Sequence, residues 1–267
     1  MNILPLMIAL PLGMAFFIPM VSRKNGKTAD FLGNLTAFSL FIMSLSLLRM
    51  GNYVYFMGGW KPPLGINLVL DGLATFFLII VNLVAFLVTL YSVSYMEIYT
   101  SKLRYYSLFM LMLAGMNGVI LTGDIFNLFV FLEVAIISAY ALVGFGTEAE
   151  ELEASFKYLV LGTVSSIFIL LGIAFLYSLT GSLNLADIGS KISEISGGSA
   201  IWFVVVLFIF GFGLKAALIP FHAWLPDAHP SAPAPISAML SGLVIKALGI
   251  YPCLLYTSDA ADEGLGV

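Results

Sequence analysis

The chain has 267 residues, of which 61% are apolar and 14% aromatic while only 10% are charged, and its mean hydropathy is +1.05. A soluble domain carries about 25% charged residues, so an ordinary water-soluble fold is excluded; without a Gly or Pro period or long charge blocks, so are fibrous, disordered and nucleic-acid-binding classes. The formal charge of −4 comes mostly from one loop and the extreme C-terminus, and the single Cys253 allows neither an internal disulfide nor a cysteine metal cluster.

Runs of about 20 apolar residues with few charges read as transmembrane helices. They predict an all-α polytopic membrane bundle with spans near 3–21, 29–48, 71–95, 104–122, 125–145, 155–180 and 200–226, and an eighth that starts at 235 and is cut short. Pro5, Pro11 and Pro19 make the first span irregular, which neighbouring helices in a bundle can accommodate. A cleaved leader is the rival reading of 1–21, but it would want basic residues before the apolar run, and Arg23, Lys24 and Lys27 follow it instead. Loops after odd spans carry six basic residues, Arg23, Lys24, Lys27, Lys102, Arg104 and Lys157, against three, Arg49, Lys61 and Lys191, after even spans. The positive-inside rule then places the N-terminus outside the cytoplasm. Trp60, Trp202 and Trp224 fall near span ends, as in an aromatic belt. Glu148, Glu150, Glu151 and Glu153 open span six, where acids in the first turn complement the helix dipole and cap the helix.

Three ionisable residues lie inside apolar runs. A charge at the bilayer centre costs from about 2.5 to more than 10 kcal/mol, so such residues face a hydrated or protein-lined interior and mark function. Glu133 is nine residues past Asp124, about 13 Å into the core; Lys215 lies roughly 21 Å from Ile201; Lys246 lies roughly 16 Å into span eight. Burial disfavours the charged form of either type, whereas an opposite charge nearby favours both. One carboxylate and two ammoniums in a dry interior can therefore stand near a protonation switch point, as a proton relay requires. The competing reading is a static Glu–Lys pair that locks two helices.

Between the lysines, Pro220 removes a helical hydrogen bond and predicts a helix break, a recurring transporter device when it sits beside a charge. Both histidines of the chain, His222 and His229, follow it, and imidazole is suited to passing protons near neutral pH. Their spacing, with Asp227 nearby, matches no usual zinc pattern, so no metal site is expected.

The run Gly213-Leu214-Lys215-Ala216-Ala217-Leu218-Ile219-Pro220-Phe221-His222-Ala223-Trp224-Leu225-Pro226-Asp227-Ala228-His229-Pro230, with Pro233, Pro235-Ile236-Ser237-Ala238 and Lys246, resembles the signature of the antiporter-like subunits. These occur in Mrp-type cation/proton antiporters, membrane-bound hydrogenases and respiratory complex I. Gly123-Asp124-Ile125-Phe126-Asn127-Leu128-Phe129-Val130-Phe131-Leu132-Glu133, Asp71-Gly72-Leu73-Ala74 and Phe156-Lys157-Tyr158 match as well. The wording Ala114-Gly115-Met116-Asn117-Gly118 and Phe131-Leu132-Glu133 is more similar to Mrp D-type and hydrogenase or sulfane-reductase subunits. The resemblance implies a fold of about fourteen helices with two inverted five-helix repeats, of which this chain holds about eight helices, one repeat and a broken seventh helix. It implies a proton relay of Glu133, Lys215, Lys246 and His229, with His222, Asp227, Lys157 and Asp71 as accessory candidates. It also implies partners among the other membrane subunits of such an assembly, in a prokaryotic plasma membrane.

The function expected is proton translocation, with sodium coupling left open. The alternative is a quinone-site-forming or purely structural membrane subunit. A quinone site would want acidic or histidine residues in an aromatic cleft at headgroup level, and only the His222–His229 stretch qualifies. No phosphate loop, dinucleotide fingerprint or Cys cluster occurs, so no cofactor is expected, and Gly211-Phe212-Gly213 reads as close helix packing. Composition changes abruptly after Pro252: Cys253-Leu254-Leu255-Tyr256-Thr257-Ser258-Asp259-Ala260-Ala261-Asp262-Glu263 looks like a translated sequencing-library adapter. Residues 1–252 are therefore expected to be the transporter domain, truncated, and 253–267 a non-biological tail.

Overall fold

The computed structural model describes residues 3–22, 26–99, 101–194 and 199–254. Arg23 and Lys24 of the charge count, and all of the expected tail except Cys253 and Leu254, lie outside the described residues. The bundle is a multi-pass membrane fold. Helices α1 (Ile3–Val21), α2 (Gly26–Leu47), α3 (Gly72–Tyr95), α4 (Lys102–Leu121), α5 (Ile125–Val143) and α6 (Ala149–Thr180) correspond to the first six expected spans. They are followed by α7 (Leu185–Glu194), α8 (Ser199–Lys215), α9 (Leu225–Ser231) and α10 (Ala234–Met239), which runs on to Leu254 as one apolar helix.

Helix α4 is the axis of the bundle, packed between α1 and α5 and buried along most of its length. Small residues allow this: a Cβ on Gly115 would meet the Phe131 carbonyl and Ala135 nitrogen at 2.6 Å, so α4 and α5 cross nearly backbone to backbone. That contact takes the face of α5 on either side of Glu133 and turns Glu133 away, toward α6. Deep in the same core, Asn82 of α3 and Asn117 of α4 pair their amides, Asn82 Nδ2 donating to Asn117 Oδ1 at 3.1 Å, and Asn117 Nδ2 donates to the Met7 carbonyl at 3.0 Å. Polar groups buried this way are satisfied across three helices.

Two elements were not expected from periodicity. A short antiparallel hairpin, β1 (Tyr53–Phe56) with β2 (Asn67–Leu70), pairs Tyr53 with Leu70 and Phe56 with Asn67. It caps one end of the bundle, where Asn67 accepts the Gly123 N–H at 3.0 Å and Asn184 donates to both Asn67 and Gly123. Helix α7 lies at that same end; its amphipathic sequence turns Ile188 inward and leaves an Asp187–Lys191 pair at 2.9 Å on the outside. The Ser182 hydroxyl, and then Lys191, hold the Asp187 carboxyl below the usual carboxylate range.

The seventh span is broken, as Pro220 predicts, and the break begins earlier than the proline itself. Helix α8 stops at Lys215, five residues before Pro220. The ring of a proline clashes with the carbonyl four residues earlier, here Ala216, and Ala217 turns to a φ of 51°, outside the right-handed helix. Trp224 also departs from its expected place. Trp60 and Trp202 are 66% and 68% exposed, as belt residues are, but Trp224 is only 2% exposed and stacks on Tyr158 with ring centroids 4.1 Å apart.

Candidate functional site

Glu133 from α5, Gly162 and Ser166 from α6, and Lys215 from α8 meet in the bundle interior. Helices α6 and α8 are drawn together because Gly211 has no side chain where α6 passes: a Cβ there would meet Ile169 Cγ1 at 2.5 Å. Ser165 fastens the crossing by donating to the Gly211 carbonyl at 2.7 Å. One turn further along α8, Lys215 ends the helix with its side chain 1% exposed.

The Lys215 ammonium donates to the Gly162 carbonyl at 3.1 Å and to Ser166 Oγ at 3.0 Å. Glu133 Oε1 stands 3.6 Å from Lys215 Nζ and 2.5 Å from Ser166 Oγ. Ser166 also lies 2.9 Å from the Gly162 carbonyl. The Glu–Lys pair is therefore bridged by a hydroxyl, and the Glu133 side chain, 26% exposed, is the more accessible partner. Above Gly162 sits Tyr140, whose buried hydroxyl has no hydrogen-bond partner among the described residues and would collide with a Cβ at that position.

The break after Lys215 frees carbonyls, and those of Gly213 and Leu214 are taken up locally, the latter also by the Ala217 N–H at 3.2 Å. Leu218 N–H donates to the Gly213 carbonyl at 2.9 Å, and the Trp224 indole N–H donates to the Leu214 carbonyl at 3.0 Å. The tryptophan read as a membrane anchor is part of the break itself.

His229 and Lys246 form a second polar group. His229 Nδ1 is 3.0 Å from Ser237 Oγ, Ser241 donates to the Ser237 carbonyl at 3.1 Å, and Lys246 Nζ donates to the Ser241 carbonyl. The segment around Lys246 is helical with wide turns: Ile245 N–H donates to Leu240 O and Tyr251 N–H to Lys246 O. The Lys246 side chain is exposed, beside an apolar groove lined by Phe76, Phe77, Ile80 and Val81 of α3, whereas interior burial was expected of it. Among the described residues, no hydrogen bond joins this group to the Lys215 group. The backbones do meet: a Cβ on Gly249 would fall 2.6 Å from Ala216 Cα, immediately after Lys215.

The accessory candidates are distributed differently. Lys157 of α6 clasps Asp227 of α9 at 2.8 Å and Glu153 at 2.8 Å, with the Lys157 and Asp227 side chains each 45% exposed. Exposed pairs of this kind are screened by solvent and contribute little, so this is a tether between elements. Asp71 caps α3, its Oδ1 accepting the Ala74 N–H at 2.6 Å, at the hairpin end away from the Lys215 site. His222 is exposed. Glu151 accepts the Glu148 N–H at 3.0 Å, the capping expected for the acidic loop.

Ser166, Ser237 and Ser241 were not singled out from sequence. The signal was slight: a Gly162-x-x-x-Ser166 spacing puts a carbonyl and a hydroxyl on one face of an apolar helix, one turn apart.

Comparison with known proteins follows the same lines. The family described as NADH:quinone oxidoreductase/Mrp antiporter, TM, matches residues 122–261, more than half of the chain, and the complex I chain 5 N-terminus family matches residues 61–106. The N-type subunit of the NADH-quinone oxidoreductase of Desulforudis audaxviator is 37% identical over 81% of this chain and 44% of its own length. The D-type subunit of the Na(+)/H(+) antiporter of Alkalihalophilus pseudofirmus is 36% identical over 78% of this chain and 42% of its own length. An archaeal membrane-bound sulfane sulfur reductase complex contains a chain that superposes with a TM-score of 0.83 at 39% identity, over 93% of this chain and 52% of that one. The Mrp complex of Dietzia sp. DQ12-45-1b contains another, with a TM-score of 0.83 at 27% identity, over 92% of this chain and 46% of that one. The chain thus spans about half the length of the relatives it matches. It belongs to the NADH:quinone oxidoreductase/Mrp antiporter family of transmembrane subunits.

Proposed function

We propose that the complete protein moves protons across a prokaryotic plasma membrane, as the antiporter-like member of a multisubunit Mrp-type antiporter or redox-driven pump. Lys215 is the titrating site and Glu133 the charge that governs it; Lys246 and His229 continue the path. Sodium is a second candidate cargo, supported by the name of the Alkalihalophilus relative. The partners are other membrane subunits, as the assemblies of the structural neighbours suggest, and the N-terminus faces outside by the basic-residue asymmetry.

One observation carries this reading. A lysine side chain 1% exposed ends a broken helix 3.6 Å from a glutamate, inside an apolar bundle. A static lock would be a poor use of such charges, because burying an ion pair often stabilises no more than apolar packing of the same volume. A transporter needs both: a site that can lose its charge and a counter-charge that resists the loss.

The test is a Glu133 series in the complete protein, expressed in its native membrane and checked for normal abundance. Glu133→Ala is expected to bring ion transport close to background, and Glu133→Asp to retain part of it. Lys246→Ala is expected to impair transport, and His229→Ala to cost more than His222→Ala, since only His229 joins the serine string. A Glu133→Ala variant that assembles normally and transports at the native rate would establish the static pair instead.

A further inference from the structure

We infer that Ser166 is a positioning residue that carries the protonation state of Lys215 to Glu133, as a hydroxyl with two settings. The inference rests on the ion-translocation reading above and adds the part that couples its two charges.

The Glu133–Lys215 separation of 3.6 Å exceeds the 2.7–3.2 Å of an N–H···O hydrogen bond, so the charges do not bond directly. Ser166 Oγ stands between them. It accepts from Lys215 at 3.0 Å, and it can donate either to Glu133 Oε1 at 2.5 Å or to the Gly162 carbonyl at 2.9 Å. A hydroxyl has one hydrogen, so it serves one of these acceptors at a time.

Which one it serves follows from Lys215. While Lys215 is charged, it supplies the Gly162 carbonyl itself at 3.1 Å and polarises Ser166, whose hydrogen then goes to the carboxylate. The chain Lys215–Ser166–Glu133 is charge-assisted at both ends, the arrangement in which hydrogen bonds are strongest. Once Lys215 gives up its proton to the path, the pull on Ser166 falls and the Gly162 carbonyl loses its charged donor. The Ser166 hydrogen turns back to that carbonyl, its i−4 neighbour, as a serine in a helix otherwise does. Glu133 is released. The turn is a rotation about one C–O bond and moves no proton between groups. A serine present only for helix packing would be satisfied by the carbonyl alone and would need no contact with either charge.

The test is a double-mutant cycle read as ion transport in vesicles from membranes that hold the complete protein, at normal abundance. Ser166→Ala is expected to lower transport about tenfold, the scale of a lost hydrogen bond to a charged group. Ser166→Thr, which keeps the hydroxyl, is expected to retain roughly half or more. In a Glu133→Asp background, whose shorter carboxylate withdraws from the hydroxyl, Ser166→Ala is expected to cost less than about twofold, because the partner it acts through is already displaced. Native-rate transport by Ser166→Ala, or the same fold-loss in both backgrounds, would overturn the switch. The two levels separate cleanly: full activity of Glu133→Ala defeats the ion-translocation reading, whereas an inactive Glu133→Ala beside a fully active Ser166→Ala defeats only the switch.

Discussion

Trp224 makes the break after Lys215 tolerable at the level of single atoms. The Leu214 carbonyl accepts the Ala217 N–H at 3.2 Å and the shorter indole N–H bond at 3.0 Å, while the ring stacks on Tyr158. Trp224→Phe keeps an aromatic ring on Tyr158 but removes the donor. It is expected to destabilise the protein by about 0.5–1.5 kcal/mol, the net worth of one hydrogen bond, read as a lower midpoint of thermal unfolding in detergent, with Trp202→Phe close to neutral as the exposed control. Glu133 and Lys215 were legible in the sequence because an ionisable residue in an apolar run has almost no innocent explanation. Trp224 was misread because an interior indole and a belt indole occupy the same place near the end of a span. Ser166 went unnoticed because hydroxyls are cheap in membrane helices, where the i−4 carbonyl satisfies them.

The site depends on how closely α5, α6 and α8 approach at their glycines, more than on any one bond. Gly162 is the tightest point, since its carbonyl binds Lys215 and its missing Cβ leaves room for the Tyr140 hydroxyl. Gly162→Ala is expected to push α5 from α6 and reduce transport at least about tenfold, while Gly242→Ala, at a position with open space around it, leaves transport unchanged. Both are checked against the membrane abundance of the native protein. Six helices were readable to within a few residues because long apolar runs bounded by polar loops leave little choice. The seventh was readable as broken, but Pro220 does not fix where the break begins, since the clash falls on Ala216, four residues upstream. The hairpin and α7 escaped for a different reason. Four-residue strands and a ten-residue amphipathic turn carry weak periodic signals beside spans of twenty.

Across the whole molecule, the connections sort onto two ends. The hairpin, the Gly123–Asp124 turn and the Asn184 loop are hydrogen-bonded together at one end, whereas Lys102, the Glu148–Glu153 segment and the Lys157–Asp227 clasp belong to the other. The orientation proposed from the basic asymmetry puts the second end in the cytoplasm. Cysteines introduced at Leu64 and at Glu150 in the complete protein are expected to react with an impermeant thiol reagent from outside and only after permeabilisation, respectively; the reverse pattern would invert the direction of the path. The central claim is that Lys215 titrates during transport, and its most direct measurement is ion movement into inverted membrane vesicles by a Lys215→Ala variant present at native abundance. Transport reduced to background is the result predicted, because the group that takes up and releases the proton is gone while the bundle around it remains. Transport at the native rate would contradict the claim and leave Lys215 and Glu133 a structural pair.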